Sequence, residues 1–292
     1  MQTNTAEGRK SLPQWRRDWK VFQSSPLAMF GLVMLCGLIL VAVFAPALAA
    51  FPKGIGTIEE ITNPPSAAHW FGTDDLGLDI LAEVIWGTRI TMFVGVIAST
   101  ISMSIGVPIG LACAFYKGMV DTVLMGITDI LLSLPTLALM ILVAAVMGSS
   151  MLNVAIVIGF LSWPPIARVV RGVTLQTVEQ PFTEAAISIG AKSGHIIRRH
   201  LLPNAVPFLV INILLVMSRA VLSEAGLSFL GLGDPTQWSL GKILQNAQRT
   251  GAFVTAWWQP LFPSLVIMLL VISITFVGTT LNEIANPKLK KR

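Results

Sequence analysis

The sequence predicts an all-α membrane protein that crosses the bilayer six times. Three observations carry that expectation. First, only 12% of the 292 residues are charged, 54% are hydrophobic and the mean hydropathy is +0.74, whereas soluble domains carry about 25% charge. A soluble chain this poor in charge lacks the polar surface to cover itself; lipid accepts an apolar exterior. Second, stretches free of Asp, Glu, Lys and Arg run over 21–52, 90–116, 130–167, 201–218 and 250–282, each near or beyond the roughly 20 apolar residues that a spanning helix needs. Third, once the spans are threaded, fifteen of the 20 basic residues fall on one side.

The spans are expected near 27–50, 89–116, 122–147, 151–170, 204–223 and 260–281. The long third stretch, extended back to Thr122, holds two helices divided at Gly148-Ser149-Ser150. With the N-terminus in the cytoplasm, Arg9, Lys10, Arg16, Arg17, Lys20, Lys117, Arg168, Arg171, Lys192, Arg198, Arg199, Lys288, Lys290, Lys291 and Arg292 lie inside. Lys53, Arg89, Arg219, Lys242 and Arg249 lie outside or at the outer boundary. The reverse threading violates the positive-inside bias, so both termini are placed in the cytoplasm. The net charge of +5 belongs to this asymmetry, and no nucleic-acid partner is expected.

Each flank adds detail. Residues 1–26 form a cytoplasmic segment in which Leu12, Trp15, Trp19 and Phe22 recur at helical spacing, with Arg16, Arg17 and Lys20 off that stripe. This predicts an amphipathic helix on the anionic inner leaflet. Outer loops are expected over 51–88 and 224–259. Trp257-Trp258 suit an interfacial belt. Asp74, Asp75 and Asp79 lack the ligand spacing of a calcium loop; capping by Thr73 or Asp75 of a short interfacial helix through Trp86 is the expectation. His69, His195 and His200 form no metal motif, and Cys36 and Cys113, inside apolar runs, suggest no disulfide framework.

Within the spans, Asp129 lies about two turns into the third, where an ionisable group faces a bundle interior or water. It either lines a path or holds helices together, with packing preferred. Arg219 and Glu224, near the outer end of the fifth span, either form an interfacial pair, the preferred reading, or gate an outer mouth. No phosphate-binding Gly-rich loop with its Lys-Ser/Thr occurs, and no nucleophile–base arrangement is apparent.

The cytoplasmic segment 172–203 is the informative one. Pro181 suits a first helical turn, Gly190 a left-handed stop, and Glu184 the early turn where the helix dipole favours a negative charge. Phe182, Ala186 and Ile189 are expected on one face, and a second short helix from Ser193 to before Pro203. The run Glu184-Ala185-Ala186, three residues, Gly190, then His200 and Leu202-Pro203 resembles the EAA motif of ATP-binding-cassette (ABC) importer permeases. His200-Leu201-Leu202-Pro203-Asn204 is similar to the ending found in the peptide and nickel branch.

The resemblance, to the C-type subunit of dipeptide, oligopeptide and nickel permeases, covers nearly the whole chain. It rests also on Ser25 to Gly31, Phe44-Ala45-Pro46, Phe71 to Gly77 with Gly87 and Arg89, Asp129, Pro135, Trp163 to Arg171, Leu227 to Gly233 and Asn286-Pro287-Lys288-Leu289. The family carries Arg where Leu78 stands, and Asp and Arg where Thr279 and Asn282 stand.

The resemblance implies a type I importer permease fold and a binding-protein-dependent importer, foremost for dipeptides or oligopeptides. Nickel, glutathione or oligosaccharide is the alternative cargo, and a self-contained channel or secondary transporter the alternative class. It further implies no cofactor in this chain, ATP and Mg held by two partner ATPase subunits, a second homologous permease and an extracytoplasmic substrate-binding protein. Glu184, Ala185, Ala186, Gly190, His200 and Pro203 would form the loop that couples to the ATPase, in a bacterial or archaeal plasma membrane.

Overall fold

A computed structural model describes residues 14–285. Leu12, Asn286-Pro287-Lys288-Leu289 and the basic tail, all used in the sequence reading, lie outside the described residues, as do the side chains of Trp15, Arg16 and Arg17. Among the described residues the elements are helical, and five helices are long and apolar enough to cross a membrane; a bent pair makes a sixth, broken span.

Helix α1 (Gln14–Gln23) leads into α2 (Pro26–Leu48). Ser25 caps α2 by accepting from the Ala28 N–H at 3.4 Å, and Pro26 occupies the first helical position, where its missing donor costs nothing. The stripe expected on the inner leaflet divides: Trp19 is half exposed, whereas Phe22 is buried against Ala28 and Val277. One narrow side of α2 packs on the last helix, and Leu27, Phe30, Val33, Leu40, Val43 and Phe44 are left outward. An apolar surface of this extent suits lipid.

Helix α3 (Ile80–Tyr116) is the axis of the molecule. Its 37 residues rise about 55 Å, well beyond the hydrocarbon thickness. The short interfacial helix expected before the second span is therefore the first turns of α3. Its cap is Asp79, not Thr73 or Asp75: Asp79 Oδ1 accepts from the N–H groups of Leu81 at 2.7 Å and Ala82 at 3.3 Å. Close packing against α3 uses small residues. A Cβ on Gly106 or Gly110, one turn apart, would sit 2.8 Å from Ile166 and 2.6 Å from the Ala167 carbonyl. Without a hydrophobic drive between helices in lipid, such close approach supplies the attraction.

The third expected span is not straight. Helices α4 (Gly118–Ser133) and α5 (Thr136–Met147) meet at 89°. Pro135 cannot donate to the helical ladder and forces Leu134 into extended backbone (ψ 144°). The fourth span carries a local break at Ser162 before Pro164-Pro165, between α6 (Met151–Leu161) and α7 (Trp163–Val178), and continues through it as one 28-residue span without a sharp bend.

After α8 (Pro181–Ser188), α9 (Ser193–Ile196) passes through one wide turn at Ile197–Leu201 into α10 (Leu202–Phe229). The expected break before Pro203 is absent. Pro203 lies in the first turn of α10, where its lack of an N–H fits a ladder that has widened: the Leu202 N–H reaches back to the Ile197 carbonyl.

Outside the spans, α11 (Leu240–Arg249) and α12 (Ala252–Thr255) lead to α13 (Trp258–Ala285). Trp258 is not in an interfacial belt. It is buried and donates to the Thr73 carbonyl at 3.2 Å, while Trp257 stays exposed. Trp238 likewise donates to the Pro52 carbonyl at 2.7 Å and Trp86 to the Ala49 carbonyl at 3.1 Å. The outer segments thus form a cap pinned by indole donors.

Candidate functional site

The elbow between α7 and α10 is built by burying one side of a very short helix. Within α8, Thr183 is fully buried and donates to the Thr177 carbonyl at 2.9 Å. Ala186 joins a core with Leu111 of α3, Val170 and Val178 of α7, and Ile196 and Leu201. The other side is open. Glu184 and Ala185 are exposed, Phe182 is half exposed and Ile189 is 84% exposed. The expected single face of Phe182, Ala186 and Ile189 is therefore split, because Ala186 turns inward and the two larger residues do not. Gly190 is left-handed (φ +76°), and the Ala191 N–H closes back on the Ala186 carbonyl at 3.1 Å. His200 is partly buried with its ring 5.9 Å from Phe182, and Pro203 is exposed. Of the six expected residues, Glu184, Ala185, Gly190 and Pro203 are exposed, His200 is partly buried, and Ala186 is the buried anchor.

Two acid–base contacts tie α4 to α7 just above the elbow. Arg171 forks onto Asp121, with Nε and an Nη each 2.5 Å from a carboxylate oxygen. Asp129 pairs with Arg168. The Asp121 partner escaped the sequence reading; the only available signal was its spacing of two turns from Asp129, which puts both on one helix face.

Arg219 and Glu224 do not pair. Glu224 is buried, accepting from Thr91 Oγ1 at 2.7 Å and Ser228 Oγ at 2.6 Å, and so joins α3 to α10. The five-residue spacing places Arg219 on another face, at a cavity of about 340 Å3 between α10 and the two helix breaks.

The outer cap holds a second acidic cluster. Asp74 Oδ1 accepts from the N–H groups of Leu76 at 2.9 Å and Leu78 at 2.7 Å. Glu83 lies close to this carboxyl, and both Asp74 Oδ2 and Glu83 Oε1 are buried without a hydrogen-bond partner among the described residues. Burial pushes the Asp74 carboxyl above the usual carboxylate range, against its backbone hydrogen bonds. His69 bridges toward Asp79 at 3.0 Å. Among the described residues no cluster suited to a metal ion occurs.

Residues 106–291 match the family model described as the binding-protein-dependent transport system inner membrane component, and residues 13–65 match that of the N-terminal transmembrane domain of oligopeptide transport permease C. The chain belongs to this permease family. Among its relatives, the oligopeptide transport system permease protein OppC of Bacillus subtilis (strain 168) is 34% identical over 97% of this chain and 92% of its own. The dipeptide transport system permease protein DppC of Alkalihalophilus pseudofirmus is 35% identical over 94% and 90%. The glutathione transport system permease protein GsiD of Escherichia coli O6:K15:H31 is 37% identical over 94% and 91%. An inward-facing structure of the MetNI methionine ABC transporter superposes with a TM-score of 0.59 at 20% identity, covering 70% of this permease and 97% of that chain. The permease is thus a multi-pass inner-membrane subunit of an ABC importer with the expected all-α fold, and it works within a transporter complex.

Proposed function

We propose that this permease carries short peptides inward as one half of a translocation path, completed by a second homologous permease. Two ATPase subunits binding ATP and Mg dock beneath it, and an extracytoplasmic binding protein delivers the cargo. The N- and C-termini then lie in the cytoplasm. The observation that carries the reading is the exposed Phe182–Glu184–Ala185–Ile189 surface on an elbow whose other side is locked under α3 and α7. Such an elbow has an apolar and acidic outer side for a partner and a rigid inner side. ATP favours one arrangement of the ATPase pair, and only a difference in affinity between two states shifts an equilibrium. A docked elbow ties that preference to the spans. This chain would then need no ATP site of its own.

Peptide cargo is favoured because relatives covering nearly the whole chain are oligopeptide and dipeptide permeases. Glutathione, itself a short peptide, is the second reading, on the 37% identical relative. An ion-coupled secondary transporter gains little support, since Asp129 is engaged by Arg168. The first test is purification from native membranes in mild detergent through a C-terminal tag. A second six-span permease and ATPase subunits should copurify, and the cognate binding protein should carry peptide. Recovery of this chain alone under several mild detergents would refute the reading.

A further inference from the structure

The arginines set within or at the ends of the spans differ in their company. Arg168 and Arg171 are paired with Asp129 and Asp121, and Arg89 lies over the Trp86 ring at 5.6 Å. Arg219 is exposed and has no ion pair or side-chain hydrogen bond among the described residues. It lies one turn inside the outer end of the fifth span expected over 204–223. A guanidinium within a span faces protein or water, not lipid tails.

The cavity beside it explains what it faces. The walls are the last turn of α4 and first turns of α5 around Pro135, the α6–α7 break at Ser162 and Pro164, and α10 from Val216 to Ser223. Interrupted helices at membrane depth occur where backbone lines a cavity. The walls are otherwise mostly apolar, and about 340 Å3 is at the lower end of small-molecule sites. One fixed cation in an apolar hollow selects for a single anionic group on an otherwise variable molecule. A guanidinium matches a carboxylate in a two-pronged geometry.

Resting on the reading of this chain as a peptide permease, we propose that Arg219 is a specificity residue, binding the C-terminal carboxylate of the peptide as it passes the α4–α5 and α6–α7 breaks. Every unmodified linear peptide presents that group whatever its side chains, so a single charge recognises the class while the apolar walls tolerate the sequence.

The test uses the complete importer in proteoliposomes, with radiolabelled dialanine as the probe. Arg219→Gln should lower uptake by about tenfold or more, while stimulation of ATP hydrolysis by loaded binding protein stays within about twofold. Arg219→Lys, which keeps the charge and loses the fork, should give uptake between those of Arg219→Gln and wild type. In a second measurement Arg219→Cys is made together with Cys36→Ser, since Cys36 is exposed and Cys113 buried. A thiol reagent that adds an ammonium should restore dialanine uptake, and a sulfonate reagent of similar size should suppress it further. Normal uptake by Arg219→Gln, equal effects of the two reagents, or no reaction at position 219 would each overturn the proposal. Failure of the wild-type complex to take up dialanine with ATP would instead bring down the peptide reading, and this proposal with it.

Discussion

At the residue scale, function hangs on a few backbone and carboxyl positions. Gly190 has open space where a Cβ would go, so its constraint is the left-handed turn itself. Gly190→Val should cost about 1–2 kcal/mol locally and misdirect the Glu184–Ile189 surface. The expected result is normal insertion with fewer peptides imported per ATP, read as uptake and hydrolysis in the same proteoliposomes, while Gly190→Asn should behave nearly as wild type. Asp74 gives a pH prediction. Its raised pKa means that the folded protein holds a proton that the unfolded chain releases, so stability falls as pH rises from the ordinary carboxylate range through the raised value. Asp74→Asn keeps the acceptor for Leu76 and Leu78 and offers Glu83 a donor. Thermal denaturation from about pH 4 to about pH 8 should show a shallower decline in this variant; parallel slopes would contradict the assignment.

At the element scale, what matters is how near helices come and where they break. Gly110→Val would press a Cβ within 2.6 Å of the Ala167 carbonyl and 2.7 Å of Val170, neither free to move far. A loss of about 1–3 kcal/mol in stability is expected from such overpacking, measurable as a lower melting temperature in detergent. Gly172→Ala on α7 meets nothing within 4 Å and should be neutral or slightly stabilising. The breaks were only half legible in the sequence. Gly148 marks the turn after α5 in the sequence, but Pro135, which enters there only through the family resemblance, does not show whether the span bends. A proline in a span either bends it or is absorbed, and neighbouring helices decide which. The merged α9–α10 helix was hidden for the opposite reason: Pro203 looked like a boundary, yet a proline in a widened first turn removes a bond that the helix does not need.

At the scale of the whole molecule, the spans and the class were legible because hydropathy and charge report solvent directly, and lipid is a solvent. The elbow was legible through Pro181, Glu184 and Gly190, whose positions follow from local helix chemistry. Its inward and outward sides were not, since Ala186 and Ile189 differ only in what α3 and α7 leave room for. The Arg219–Glu224 pairing failed for the same reason. Five residues along a helix is a large rotation, and tertiary partners, Thr91 for one and a cavity for the other, claimed each side chain separately. Three outer tryptophans donate to backbone carbonyls of the cap, which hydropathy cannot see.

The unbroken length of α3 carries one more consequence. Its glycines meet different neighbours along the rod: Leu240 at Gly87, Val221 at Gly95, Ile166 at Gly106 and Ala167 at Gly110. A single inserted residue between Gly95 and Gly106 would turn everything below it by about 100°. The lower glycines would leave α7 while the upper ones stayed in place. The helix is therefore a phase standard for the bundle, tolerant of many substitutions on its lipid side and of almost no change in length. Even a seven-residue insertion, two turns that restore the rotation, would carry the lower glycines about 10 Å along the axis and away from Ile166 and Ala167, so neither insertion should yield a stable permease in the membrane.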